Sequence, residues 1–362
     1  MRPSHSVFHP LRVASIEPVT DDSVAVTFEV PVELRDDYAF SHGQHVNIRT
    51  ELAGDDVRRS YSICSAAGSG LLRIAVKRLP GGAFSQHALD VLRPGDVLDV
   101  MTPSGRFFTH LDPGNRKHYA CVAAGSGITP ILSIIASTLA AEPHSSVTLV
   151  YANRTHTSVM FLEELQDLKD SHPDRFQLIH VLSREQQEAE LFSGRLDADR
   201  MGRILEGLLP PDTVDEWFLC GPFDLVSDVR KLLVSEGVPT KTVHAEIFHV
   251  EAVASAAPLR RAPVETTDAA GARVTVTLDG RTSSFRLATD GPAVLDAALA
   301  VRSDAPFACK GGVCGTCRAR VIAGSVEMDT NWALEPDEME KGYVLTCQSH
   351  PTSDTLVLDY DA

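Results

Sequence analysis

The spacing of apolar and polar positions divides the chain into three textures. In residues 1–113, VAVTFEV (24–30), HVNIRTEL (45–52), YSICSA (61–66) and LRIAVKRL (72–79) are short, rich in Val and Ile, and bounded by Gly, Pro or Asp. Such runs predict strands. One short helix fits Gly82–Leu92, and the segment as a whole predicts a small antiparallel β-barrel. Residues 114–248 alternate instead. YACVAA (119–124), SVTLVYA (146–152), FQLIHVLS (176–183) and EWFLCG (216–221) are continuous apolar runs, as in strands buried on both faces. Helical patterns at Ile128–Ala141, Met160–Asp170, Ala198–Leu209 and Phe223–Ser235 separate or follow them. This alternation predicts an α/β domain with a parallel sheet and ligands beyond the carboxyl ends of the strands.

Residues 249–271 carry much Ala and Pro without periodicity and read as a linker. Residues 272–362 open with a hairpin pattern, VTVTLDGRTSSFRL (274–287), turning at Asp279-Gly280. A short helix at Val294–Arg302, a cysteine loop and a last strand, TLVLDYD (355–361), follow. The expectation is a multi-domain chain: barrel, parallel-sheet domain, linker and a small C-terminal domain.

Charge narrows the function. The 362 residues hold 33 basic and 49 acidic side chains, a net of −16, which argues against nucleic acid as a partner. No apolar run reaches the length of a membrane span, and the start, MRPSHSVFHPLRV, lacks the apolar core of a signal peptide. A cytoplasmic location is expected, with no membrane contact. There the seven cysteines stay reduced, and a clustered set points to metal rather than disulfides.

That set is Cys309-x4-Cys314-x2-Cys317-x29-Cys347, the plant-type [2Fe–2S] spacing. Soft thiolates suit such a cluster. Gly311, Gly312 and Gly315 let the backbone wrap closely and take positive φ where needed. A structural zinc site is the competing reading, although zinc loops favour paired C-x2-C arms.

Residues 272–362 resemble a plant-type ferredoxin domain of β-grasp fold. The resemblance implies that Cys309 and Cys314 share one iron, and Cys317 and Cys347 the other. Upstream, Arg59-Ser60-Tyr61-Ser62 and the glycine-led helix start Gly81-Gly82-Ala83-Phe84-Ser85 resemble the FAD domain of the ferredoxin–NADP reductase superfamily. On that resemblance Arg59 meets the pyrophosphate, Tyr61 lies against the isoalloxazine, Ser62 bonds near its N5, and Gly82 and Ser85 cradle phosphate. Where that family often has Pro-Gly-Gln, this chain has His42-Gly43-Gln44. Taken alone, Arg59 reads equally well as a surface charge and Tyr61 as a core aromatic.

Gly125-Ser126-Gly127-Ile128-Thr129-Pro130 follows a buried strand and opens a helix, the context of a dinucleotide phosphate site. Gly125 and Gly127 admit the phosphate, and the Thr129 hydroxyl, before Pro130, is a further donor. In the superfamily the Cys220-Gly221-Pro222 segment lies beside the nicotinamide, so Cys220 and Gly221 fall near the hydride path; a small buried cysteine is the other reading. Ser183-Arg184 resembles a 2′-phosphate site and implies NADPH, with Arg154 a nearby cation; a solvated Arg184 is the alternative. The resemblance also implies that Phe248 covers the flavin face, where a hydrophobic plug is the competing account.

The domain order resembles that of several oxygenase reductases. It implies electron transfer from NADPH through FAD and a [2Fe–2S] cluster to an oxygenase. The tail GSVEMDTNWALEPDEMEKGYVLTCQSHP (324–351) resembles one group of them. That group implies a multi-subunit di-iron oxygenase of aromatic catabolism as the partner, met by transient docking. The reductase of a Rieske-type ring hydroxylase or demethylase remains the second reading, and a redox-sensing protein a third. Residues 272–362 carry 13 acidic and 8 basic side chains, which calls for a partner patch rich in Lys or Arg.

Overall fold

The computed structural model describes residues 7–249, 271–288 and 290–362. The expected linker, 249–271, lies almost wholly outside them. The chain divides into two compact units, one holding Phe8–Val57 and Tyr61–Val250, the other Met1–Val7, Arg58–Ser60 and Glu251–Ala362.

The first unit contains two sheets. Strands β1 (Phe8–Thr20), β2 (Ser23–Glu29), β3 (His45–Leu52), β4 (Asp55–Ser62), β5 (Leu72–Lys77) and β6 (Val97–Met101) form one sheet in the order β4-β3-β6-β1-β2-β5. A bridge between Ile63, just past β4, and Ile74 of β5 brings the two edges together into the expected barrel. Leu11, Val46, Ile48, Ile63, Ile74 and Val100 fill its interior. Each such side chain contributes about 1.5–3 kcal/mol by leaving water. Helix α1 (Ala83–Asp90) adds Phe84 and Ala88 to that core.

Two sequence expectations shift here. The Arg59–Ser62 motif closes β4 rather than opening a strand at 61. Its run, DDVRRSYS, lacks the apolar alternation that marks a half-buried strand. β1 is long but mixed, FHPLRVASIEPVT, and bends at register shifts, so it too carries little period-two signal.

Strands β7 (His118–Ala124), β8 (Ser146–Asn153), β9 (Phe176–Leu182), β10 (Glu216–Pro222) and β11 (Val243–His249) form a parallel sheet in the order β11-β10-β7-β8-β9. Helices α2 (Ile128–Ala141), α3 (Leu162–Ser171), α4 (Ala198–Gly207) and α5 (Phe223–Ser235) cover it. Chain order runs outward from β7 on one side and from β10 on the other. The crevice at that reversal is the general ligand site of such sheets. It lies between the turn after β7 and the end of β10.

Barrel and parallel sheet share a core. Ala25, Cys64, Ala75 and Phe107 of the first pack with Ile131, Ile134 and Phe218 of the second. At this seam Gly43 has φ +76°, and a Cβ there would strike the Phe107 carbonyl. His42 beside it is buried, packs edge-on against Phe108, and leaves Nε2 without a hydrogen-bond partner.

In the second unit, β12 (Ala272–Leu278) and β13 (Arg281–Leu287) form the expected hairpin, with Asp279 and Gly280 both at positive φ. The sheet order is β13-β12-β18-β14-β16, with β14 (Arg318–Ala323), β16 (Tyr343–Leu345) and β18 (Thr355–Asp359). The last strand lies parallel to β12 and antiparallel to β14. Helix α6 (Val294–Val301) buries Val294 and Ala297 on this β-grasp sheet. A short pair, β15 (Val326–Met328) and β17 (Ser349–Pro351), and a five-residue helix α7 (Pro336–Glu340) complete it. Among the described residues no helix is long and apolar enough to cross a membrane.

Burial lowers His42 from 6.5 to about 4, with the Glu142 carboxylate only partly offsetting it. Between these values the unfolded chain binds a proton that the folded chain refuses, so stability falls as pH drops from 6.5 toward 4. The loss is on the order of 3 kcal/mol. Urea unfolding of His42→Gln across this range is expected to show a correspondingly flatter pH dependence than the parent.

Candidate functional site

Three constellations gather at the positions the chemistry needs. The first is at the end of β4. Ser62 is buried, and its hydroxyl donates to Glu246 Oε1 at 3.1 Å. Glu246 lies on β11, in register with Cys220 of β10. Cys220 is fully buried; burial, then the nearby Glu246 carboxylate, push its thiol well above the ordinary range. Phe248, two residues further along β11, packs on the shared core. Ser62, Cys220 and Phe248 are therefore brought to one place, and Glu246 joins them. Sequence reasoning missed Glu246 because one acid in HAEIF has no spacing to mark it; the Ser62 hydrogen bond and the register with Cys220 reveal it.

Tyr61 is half-buried, its ring 5.4 Å from that of Phe84. Arg59 is exposed, and one guanidinium nitrogen donates to the Arg58 carbonyl. At the start of α1, Gly81 has φ +74° with open space where a Cβ would stand. Gly82 caps the helix. The Ser85 hydroxyl is already engaged, donating to the Gly82 carbonyl at 3.0 Å and accepting from the Leu79 amide at 3.1 Å. It shapes the turn, while the first-turn amides of α1 lack intrahelical partners and keep anion-binding capacity.

The second constellation is the turn after β7. Gly125 has φ +54° and open space beyond it, and its carbonyl accepts from the Tyr151 hydroxyl at 3.0 Å. Gly127 has a packing role that the sequence did not show. Its φ is an ordinary −59°, but a Cβ there would meet the backbone of Cys220 and Gly221. The glycine lets α2 start hard against the end of β10. Thr129 and Pro130 are buried, and the Thr129 hydroxyl donates to the Ser126 carbonyl at 3.0 Å. Thr129 thus secures the turn.

Ser183 and Arg184 follow β9, their amides bonding to the carbonyls of Asn153 and Arg154. Among the described residues the guanidinium groups of Arg154 and Arg184 have no protein partner, and both residues are exposed. Glu185 is occupied: it accepts from the His156 amide at 2.9 Å and contacts the His156 ring, which holds its carboxyl below the usual range.

The third constellation is in the C-terminal unit. The loop carries Cys309, Cys314 and Cys317, while Cys347 follows β16 and shares one apolar cluster with Cys317. Among the described residues no three such side chains converge as a single metal ion requires. Four soft thiolates in this spacing suit a two-iron cluster. The amides of Gly311 and Cys314 donate to Cys309 Sγ at 3.3 and 3.4 Å. Positive φ falls at Lys310, Gly312 and Gly315, not at Gly311. Gln348, also missed from sequence, donates to the Lys310 carbonyl at 2.9 Å and approaches Cys347 Sγ at 3.6 Å. It ties the loop to the distant fourth cysteine. Cys317 and Cys347 are buried among Leu295, Leu334 and Leu345, whereas Cys309 is exposed.

Three family models match in order: an oxidoreductase FAD-binding domain over residues 10–109, an oxidoreductase NAD-binding domain over 121–231, and a 2Fe-2S iron-sulfur cluster binding domain over 276–352. One subunit of the 1,2-phenylacetyl-CoA epoxidase from Escherichia coli is 42% identical, over 99% of each chain. The chain belongs to the oxygenase reductase family. The ferredoxin reductase component of 3-ketosteroid-9-alpha-monooxygenase from Rhodococcus rhodochrous is 35% identical, over 97% of this chain and 96% of its own. In fold the reductase is similar to phthalate dioxygenase reductase, with a TM-score of 0.60 and 24% identity over 97% and 98% of the two chains. The reductase is thus an NAD(P)H-dependent oxidoreductase with FAD and a [2Fe–2S] cluster, serving as the electron-transfer component of an oxygenase system.

The contact at Gly127 makes a sharp comparison. Gly127→Ala forces main chain against main chain and is expected to cost on the order of 3 kcal/mol. Gly125→Ala meets open space and costs only the left-handed backbone, about 1 kcal/mol. Urea unfolding of the two variants is expected to rank them in that order.

Proposed function

We propose that this reductase draws on NADPH and supplies the multi-subunit di-iron oxygenase that epoxidises phenylacetyl-CoA. The observation that carries the partner is the 42% identity over 99% of the chain to the Escherichia coli epoxidase component, against 35% for the 3-ketosteroid relative. When bound, the nicotinamide releases two electrons together, the flavin takes them and hands them on singly, and the cluster relays them outward.

The chain's own residues bind and orient. Arg59 pairs with the flavin pyrophosphate, Tyr61 lies along the ring system, and Gly82 and the amides of the first turn of α1 hold phosphate over a turn that Ser85 braces. Ser62 presents its hydroxyl to the reacting edge, its proton directed by Glu246. Cys220, a neutral thiol, packs beside the nicotinamide with Gly221. Phe248 shields the flavin until coenzyme stacks. Gly125 admits the coenzyme phosphates to a turn fixed by Gly127, Thr129 and Pro130.

The preference for NADPH rests on charge. The free guanidinium groups of Arg184 and Arg154, with Ser183, suit a 2′-phosphate. Glu185, the acid that would otherwise bond a ribose hydroxyl, is held by His156. Cys309 and Cys314 hold one iron, Cys317 and Cys347 the other. The surplus of acid in residues 272–362 favours brief docking to a basic patch on the oxygenase. A reducing cytoplasm keeps these thiols available for the cluster.

Cys314→Ser is expected to lose the cluster's visible absorbance and its reduced-state paramagnetic signal while retaining FAD and NADPH-driven ferricyanide reduction. Cytochrome c reduction falls with the cluster; full retention of it would refute the electron order. Turnover of phenylacetyl-CoA by the purified epoxidase tests the partner, and no NADPH-dependent product would exclude it.

Arg184→Ala is expected to raise KM for NADPH at least tenfold, the worth of a charge-assisted hydrogen bond, and to leave KM for NADH nearly unchanged. Equal changes for both coenzymes would remove the charge argument.

A further inference from the structure

Two serines of α2 make hydrogen bonds that neither helix formation nor cofactor binding requires. The Ser133 hydroxyl donates to the Ser65 carbonyl at 2.7 Å. The Ala67 amide donates to Ser137 Oγ at 2.8 Å. Both serines are essentially sealed from solvent, at 0% and 3% exposure. They stand four residues apart and so share one face of the helix. A serine inside a helix ordinarily turns its hydroxyl back to a carbonyl of the preceding turn. Here the two reach across to another domain and grip one short backbone stretch by an acceptor and a donor.

Position gives the grip its meaning. α2 begins at the Gly125–Pro130 turn. Ser65–Ala67 lies three to five residues past Ser62, the end of β4. The two serines therefore join the helix that carries the nicotinamide turn to the strand that carries the flavin motif. Apart from Ser62–Glu246 and Arg73–Glu164, the seam around them is largely apolar, with Ile131, Ile134 and Phe107 in it. Apolar burial holds surfaces together without fixing their register, whereas hydrogen bonds are directional.

A second grip acts on the same stretch from the other side. The Arg73 carbonyl accepts from the Cys64 amide at 2.9 Å, and its guanidinium forks onto Glu164 of α3 at 2.8 and 3.0 Å. Residues 64–67 are thus held to both α2 and α3.

We propose that Ser133 and Ser137 are positioning residues for the nicotinamide-to-flavin step, setting the distance and angle between the two rings. The proposal rests on the reductase reading above. Alignment of this kind acts on rate rather than on affinity, and a shift near 1 Å costs up to about a hundredfold.

The test uses anaerobic stopped-flow of the full-length holoprotein with NADPH. In Ser133→Ala/Ser137→Ala the flavin-reduction rate at saturating NADPH is expected to fall at least about tenfold. Binding of NADP+ should change less than about twofold, and FAD content should stay as in the parent, because neither serine lies in a nucleotide site. Should the double variant not retain FAD, each single variant carries the same comparison. A second readout needs no cofactor. In flavin-stripped protein, amide exchange at Ala67 is expected to rise at least about tenfold in Ser137→Ala, with Ser69, bonded to the Ala66 carbonyl, as internal control. An unchanged saturating rate, or a loss confined to NADP+ binding, would overturn the proposal. Absence of NADPH-driven flavin reduction in the parent protein would instead sink the reductase reading.

Discussion

The backbone contact between Gly127 and Cys220–Gly221 is the constraint around which the reductase unit is arranged. It joins the two strands that flank the topological reversal of the parallel sheet. With no Cβ between them, the first turn of α2 and the end of β10 share a single wall. The turn at Gly125 then opens on one side of that wall, and Cys220, Glu246 and Ser62 meet on the other. Loosening this contact would disturb both the turn after β7 and the end of β10, though each keeps further bonds of its own.

Burial decides what the polar groups near that wall can do. Cys220 sits where water is excluded and a carboxylate is near, so it stays a neutral thiol. Ser62 keeps a defined proton because Glu246 accepts from it. Arg154, Arg184 and the His156–Glu185 pair, by contrast, lie exposed to water after β8 and β9.

Much of this was legible in the sequence, for physical reasons. The strands of the parallel sheet are buried on both faces and read as unbroken apolar runs, so β7, β8, β9 and β10 stand out. The barrel was harder: β4 is a polar edge, and β1 bends through bulges that scramble its alternation. The cysteine loop declared its chemistry by spacing, because three ligands in nine residues leave few other uses. Glu246, Gln348, Ser133 and Ser137 were invisible. Each acts through partners distant in the chain, apart from Gln348's tie to its neighbour Cys347, and no local pattern encodes such pairings. The local bonds of Thr129 and Ser85 to backbone carbonyls were not legible either, because they depend on how each turn closes.

The place of β18 in the C-terminal sheet has a consequence for biosynthesis. Thr355–Asp359 is an interior strand, bordered by β12 on one side and β14 on the other. Until those residues emerge from the ribosome, the hairpin that opens the domain has no partner, and the platform beneath the cysteine loop does not exist. The barrel and parallel sheet, encoded earlier, are complete by then. The sheet under the cysteine loop is thus closed by a strand that follows all four cysteines in the chain.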